Sequence, residues 1–283
     1  MLDALSYDFM QQALAASLLA SIACGVIGTL VVVNRLVFLA GGVSHAAYGG
    51  VGLAFHYGWP VLPSAIGFSV ASSMLMAGVA LKRPEKADTA IGVLWAAGMA
   101  FGIILIDLTP GYKADLMSFL FGSILAVPAT DLYLMAALDA VLLAVVALCH
   151  QTLLVTSFDR EFAEARGLPV RTAHYLVVGM TAVGVVMLIR VVGLVLVMAL
   201  LTIPPFIAAR SARSLPSMMA AATAWSTVFC VGGLALAYRW DVTSGAAIIA
   251  VASAGFMAVS GAGMLRRIMA RKTARRAQAK VAS

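Results

Sequence analysis

Apolar residues gather in long runs along this chain, and polar residues mostly mark the gaps between them. Nine runs, near residues 11–33, 36–57, 60–81, 89–107, 131–150, 172–189, 192–209, 215–237 and 243–265, are long enough to cross a hydrocarbon core of roughly 30 Å as α-helices. The pattern predicts an all-α, polytopic integral membrane helical bundle of about nine transmembrane helices over residues 1–265, followed by a basic tail over 266–283. Two stretches strain the count. Residues 109–130 are too short and too interrupted by Gly and Pro to span, and read as a loop with a short half-buried helix whose backbone must be covered. Only Arg190-Val-Val-Gly193 is available to turn the chain between the sixth and seventh runs, which leaves open a tight hairpin or one broken helix.

One short stretch departs from this pattern. Phe158-Asp-Arg-Glu-Phe-Ala-Glu-Ala-Arg-Gly167 is charged and amphipathic, with Phe158, Phe162 and Ala165 at i, i+4 and i+7. Gly167-Leu-Pro169 supplies a stop signal, glycine for a left-handed cap and proline because it cannot continue a helix. Asp159, Arg160, Glu161, Glu164 and Arg166 would keep the piece soluble and orient it against a partner. Segment 157–169 therefore reads either as a helix docking into another protein or as one lying on the membrane surface. Pro204-Pro205 and Ser214-Leu-Pro216 mark places where spans can pivot.

With 63% of its 283 residues hydrophobic and 11% charged, the chain has less than half the charge of an ordinary soluble domain, so composition agrees with the spans. Met1 to Met10 carry Asp3 and Asp8 and no Lys or Arg, so the first run reads as a retained helix and not as a signal peptide. If the N-terminus is outside, all but Lys113, Arg190 and Arg239 of the 19 Lys and Arg residues fall inside, as the positive-inside rule requires. The net charge of +7 follows from that topology and from a cytoplasmic tail suited to anionic membrane lipid, so nucleic acid is not called for.

Ionisable side chains inside spans are costly, which makes the few present here candidates for function. His45, in Gly41-Gly-Val-Ser-His-Ala46, lies roughly 14 Å into the second helix, near mid-membrane. Glycines around it permit close approach of a neighbouring helix or a permeating solute, and packing alone explains them equally well. Asp139 is the only carboxylate well inside a span. An imidazole and a carboxylate facing one aqueous path would offer ligands suited to zinc or manganese in transit, so His45 and Asp139 are the expected metal residues. His56, His150 and His174 stand at or near helix ends. Cys24, Cys149 and Cys230 are scattered in apolar runs and read as small hydrophobes, and the spread-out methionines as packing residues. None of the five lysines follows a glycine, so the chain has no phosphate-binding loop and cannot hydrolyse ATP by that route; HExxH and GxSxG are also missing.

Four stretches, Asn34 to Ala46, Asp115 to Leu125, Phe158 to Pro169 and Arg190 to Pro204, taken together resemble the permease subunits of bacterial ABC importers for zinc, manganese and related divalent metals, and the likeness runs from about Gly25 to Val259. The resemblance implies a permease homodimer in the bacterial inner membrane that receives its ion from an extracytoplasmic metal-binding protein. ABC ATPase subunits would bind and hydrolyse the ATP, coupled through Phe158, Asp159, Glu161, Phe162, Ala165 and Gly167, and this chain would hold no cofactor of its own. His45 matches the family's pathway histidine. Many members carry an Asp four residues before it, where this chain has Gly41, which makes Asp139 the candidate substitute. Two other readings stand beside this one: an ABC permease for an iron or heme chelate, and an ATP-independent secondary metal transporter.

Overall fold

The computed structural model describes residues 7–110, 124 and 127–281, with side chains as far as Gly263. The short half-buried helix expected within 109–130 and most of the stretch Asp115 to Leu125 lie outside the described residues. Those residues form eleven α-helices: α1 (Asp8–Val33), α2 (Val37–Tyr57), α3 (Val61–Lys82), α4 (Ala87–Asp107), α5 (Ala129–Leu148), α6 (His150–Phe158), α7 (Arg160–Ala165), α8 (Val170–Val192), α9 (Leu194–Ala208), α10 (Leu215–Trp240) and α11 (Ser244–Val281). Eight are long and apolar enough to cross a membrane, and α9 is a shorter apolar helix. Each of the nine expected runs has its helix. α6 was not expected: only its first residue, His150, falls within the fifth run, and its last, Phe158, opens the charged stretch. The helix of the last span continues without a break into the basic tail.

Most of the fully buried hydroxyls are satisfied within their own helices, as a membrane interior favours, with Ser69 and Ser226 the exceptions among the described residues. Ser17, Ser21, Thr29, Ser44 and Thr181 each donate to the carbonyl four residues back, at 2.6 to 2.8 Å. With no hydrophobic drive between helices in lipid, the bundle is held by close packing at small residues. One of the tight places is α2 on α4, where a Cβ added at Gly52 would lie 2.6 Å from Gly102 Cα and one at Gly98 would lie 3.0 Å from Ala46 Cα.

Such contacts also fix helix directions. Gly42, Ala46 and Gly52 of α2 meet Ile91, Gly98 and Gly102 of α4 in the same order, so the two run parallel, whereas Gly50, Gly49 and Gly42 meet Ala65, Phe68 and Met76 of α3 in reverse. α8 is also antiparallel to α3, with Gly179 on Met74 and Tyr175 on Gly78. α9 runs with α11, Phe206 on Phe256 and Arg210 on the Val259 carbonyl. α10 opposes both α11 and α1, through Gly233 on Ile248, Phe229 on Gly255, Ser21 on Cys230 and Gly25 on Thr223. Hence α8 runs with α2, α9 runs with α1, and the chain reverses at Gly193. Its φ of 83° and ψ of 161° are open to glycine almost alone. Of the two readings left open by the sequence, the structure selects the hairpin. Pro204 and Pro205 sit inside α9 without ending it, while Ser214 caps α10 through a reciprocal pair with Ser217.

Candidate functional site

Backbone contact between α2 and α4 dictates the surroundings of His45. Because Gly98 rests on Ala46, Trp95 one turn earlier lies over His45, the two rings stacked with centroids 4.3 Å apart and planes 16° apart. Phe38 continues the aromatic wall at 6.0 Å from Trp95. These side chains, with Gly41, Met198 of α9, and Arg35 and Asp88 at one end, line an open groove of about 650 Å³. His45 is half-buried, and its Nδ1 is buried with no hydrogen-bond partner among the described residues. A buried ring nitrogen without a partner is uncommon and marks a place where an ion or water completes the site. Among the described residues no three His, Cys, Asp or Glu side chains converge on a metal position.

Asp139 lies elsewhere. It is 5% exposed, faces α1 within electrostatic reach of the Cys24 thiol, and its Oδ2 has no partner. α5 packs on α1 and α8 but makes no packed interface with α2. Within one chain the structure therefore does not bring Asp139 to His45. Asp131 at the start of α5 does find a partner, Arg190 at the end of α8, at 2.9 Å. The cysteines behave as small hydrophobes: Cys24 and Cys230 are buried and all three are free.

α6 and α7 form an arm beside the turn between α1 and α2 and the starts of α8 and α10. Asp159 caps α7 by accepting from the Phe162 N–H at 2.9 Å. At the other end Gly167 N–H donates to the Glu164 carbonyl and Leu168 N–H to the Ala163 carbonyl, both at 3.0 Å. With Gly167 at φ 71° this is the Schellman closure that the Gly-Leu-Pro signal predicts. Ala163 is fully buried against the bundle, while Phe158 and Phe162 are 66% and 48% exposed and Ala165 and Glu161 are exposed. The expected apolar face therefore points away from the protein's own core. Arg160 pairs with Glu164 at 3.2 Å, and Arg166 lies over the Phe162 ring.

Between arm and bundle is a cleft of about 1200 Å³, lined by Arg35, Arg160, Arg213, His174 and Ser157 among others and, among the described residues, by no acidic one. Its sign repels cations. Across it Asn34, in the turn between α1 and α2, donates to Ser157 Oγ of α6 at 2.9 Å and to the Leu30 carbonyl at 2.8 Å. Trp95, Met198 and Asn34 were not singled out for these roles by sequence. Their partners lie 50, 154 and 123 positions away, and no periodicity reports such contacts.

The chain matches the ABC 3 transport family over residues 6–262. An uncharacterised membrane protein of Synechocystis is 49% identical over 257 residues, 91% of this chain and 92% of that protein. A protein of Halalkalibacterium halodurans named as a manganese transport system membrane protein is 35% identical over 89% of this chain and 86% of its own length. Among solved structures, one described as PsaBC from Streptococcus pneumoniae in complex with Fab superposes with a TM-score of 0.82 at 31% identity, covering 91% of this chain and 93% of that one.

Proposed function

The chain belongs to the ABC 3 transport family, and from that premise we propose that it is the membrane-spanning permease of an ATP-driven importer for a divalent metal ion, zinc or manganese. The observation that carries the ATP-driven part is the arm, capped at both ends and holding Phe158 and Phe162 out of the chain's own core. ATPase subunits dock on that face through Phe158, Asp159, Glu161, Phe162, Ala165 and Gly167, and their closure moves the arm. Asn34 passes this displacement to the turn that begins α2, the helix of His45. The spans rock between outward and inward openings, two copies of the permease enclosing the path.

Metal as cargo is supported by the names of the relatives and by His45, an intramembrane imidazole facing a groove. Asp139 is set apart from His45 and lines neither the groove nor the arm cleft, so its part in transport is left to the test of its replacement. The ion arrives from an extracytoplasmic binding protein, in a bacterial plasma membrane, with the N-terminus outside and the tail in the cytoplasm. That orientation is supported by the Arg residues collected around the arm cleft. A strain lacking the protein, grown under metal limitation, should show a selective shortfall in cellular zinc or manganese, restored by the native chain and not by stably expressed His45→Ala. An unchanged quota of both metals, with other uptake systems deleted, would sink this reading.

A further inference from the structure

One helical turn before His45, where the resemblance places an Asp in many relatives, this chain has Gly41, and the structure shows what fills the space. Gly41 and His45 lie on one face of α2. A Cβ added at Gly41 would lie 3.2 Å from Met198 Cε and 3.8 Å from Met198 Sδ. Ser44 Oγ stands 3.7 Å from the same sulfur. Met198 is half-buried and lines the groove together with His45. A thioether from α9 therefore occupies the volume into which an acidic side chain at position 41 would reach.

Among the described residues Asp88 is the one acid lining this groove, and the pairing of Gly42 with Ile91 puts it level with Leu39. That is roughly 9 Å along the axis from His45, at the end shared with Arg35, whose charge opposes a cation held there. At the depth of His45 the donors are thus an imidazole nitrogen and a thioether sulfur. Carboxylate and water oxygens suit manganese; imidazole suits zinc and sulfur ligands favour softer ions.

We infer that His45 and Met198 form a nitrogen–sulfur pair that selects zinc over manganese as the ion passes the groove. The inference rests on the permease reading and narrows its cargo. α9, which brings Met198, is placed by its contact with α1, where a Cβ added at Gly28 would lie 2.7 Å from the Leu201 carbonyl. The sulfur's position is therefore set by helix packing as well as by its own flexible side chain.

The test uses the complete transporter in proteoliposomes, with one binding protein throughout so that only the permease varies, and measures uptake of labelled zinc and manganese in competition. The native chain should prefer zinc. Met198→Leu conserves volume, so the fold should persist with an unchanged melting temperature. It should lower zinc uptake about tenfold while changing manganese uptake less than about twofold. Gly41→Asp combined with Met198→Leu should turn the preference towards manganese. A zinc-to-manganese ratio that stays the same in Met198→Leu, whether both uptakes hold or fall together, would overturn the inference and leave the permease intact. Failure of the native transporter to take up either ion would instead overturn the permease reading on which the inference stands.

Discussion

α2 and α4 touch backbone to backbone at Gly52, Gly98 and Gly102, while the arm of α6 and α7 turns Ala163 to the bundle and leaves Phe158 and Phe162 in the open. The first region has no free volume to lose, and its geometry dictates where the His45 and Trp95 rings lie. The second is shaped chiefly by its own caps, and its Phe158 and Phe162 rings stay largely exposed. On the proposed function the contrast teaches where to look for each half of the work: recognition of an ion where packing permits no drift, and reception of force where side chains are left exposed to a partner.

The sharpest way to break the contrast is to enlarge one residue in each region. Gly102→Leu should destabilise the protein by about 3 kcal/mol, as overpacking does at its upper range, because a Cβ there already meets the Tyr48 carbonyl and Gly49 N. Ala165→Leu on the arm should stay within about 0.5 kcal/mol of the native chain. Thermal unfolding in detergent decides it, and equal melting of the two variants would end the comparison. Next in size, Phe158→Glu with Phe162→Glu should abolish co-purification of an ATPase subunit while the permease remains folded. Retention of the ATPase would remove the arm's assigned role.

A smaller effect is expected where the two regions are joined. Asn34→Ala deletes two side-chain hydrogen bonds of about 1 kcal/mol net each and should lower ion uptake per ATP hydrolysed several-fold, with ATPase binding unchanged. If uptake and hydrolysis fall in parallel, Asn34 does not transmit. Replacing Asp139 by Leu removes an unpaired buried polar group and should raise stability by about 1 kcal/mol while reducing transport. Unchanged transport would strike Asp139 from the ion's route. Least of all, Arg160→Ala should have no measurable effect on stability, since its pair with Glu164 is about half exposed on both sides.

Much of the fold was legible because bilayer crossing imposes a length and a composition that show in one dimension. The Gly167 cap and the outward face of Phe158 and Phe162 were legible for a similar reason, since caps and helical faces are set by neighbours within a few residues. Gly193 was only half legible: glycine signals a turn, but whether the chain reverses depends on which helices α8 and α9 find. α6 escaped notice because it opens only one residue, Cys149, after α5 ends. The company of His45 was not legible at all. Trp95 and Met198 read as ordinary apolar residues until the contacts of α2 with α4 and α9 are known, and Asp139 looked like a companion because depth along a helix says nothing about which side of the bundle it faces.

Between Phe158 and Met198 the chain leaves helix only at Asp159, at Arg166 to Pro169, and at Gly193. It works as a linkage of stiff rods with three joints and no slack string anywhere in it. A push on the aromatic end of the arm therefore cannot be absorbed by a floppy connector. Whatever part of it the joints do not take up as rotation arrives, through the crank at Gly193, at the rod that carries the sulfur beside His45.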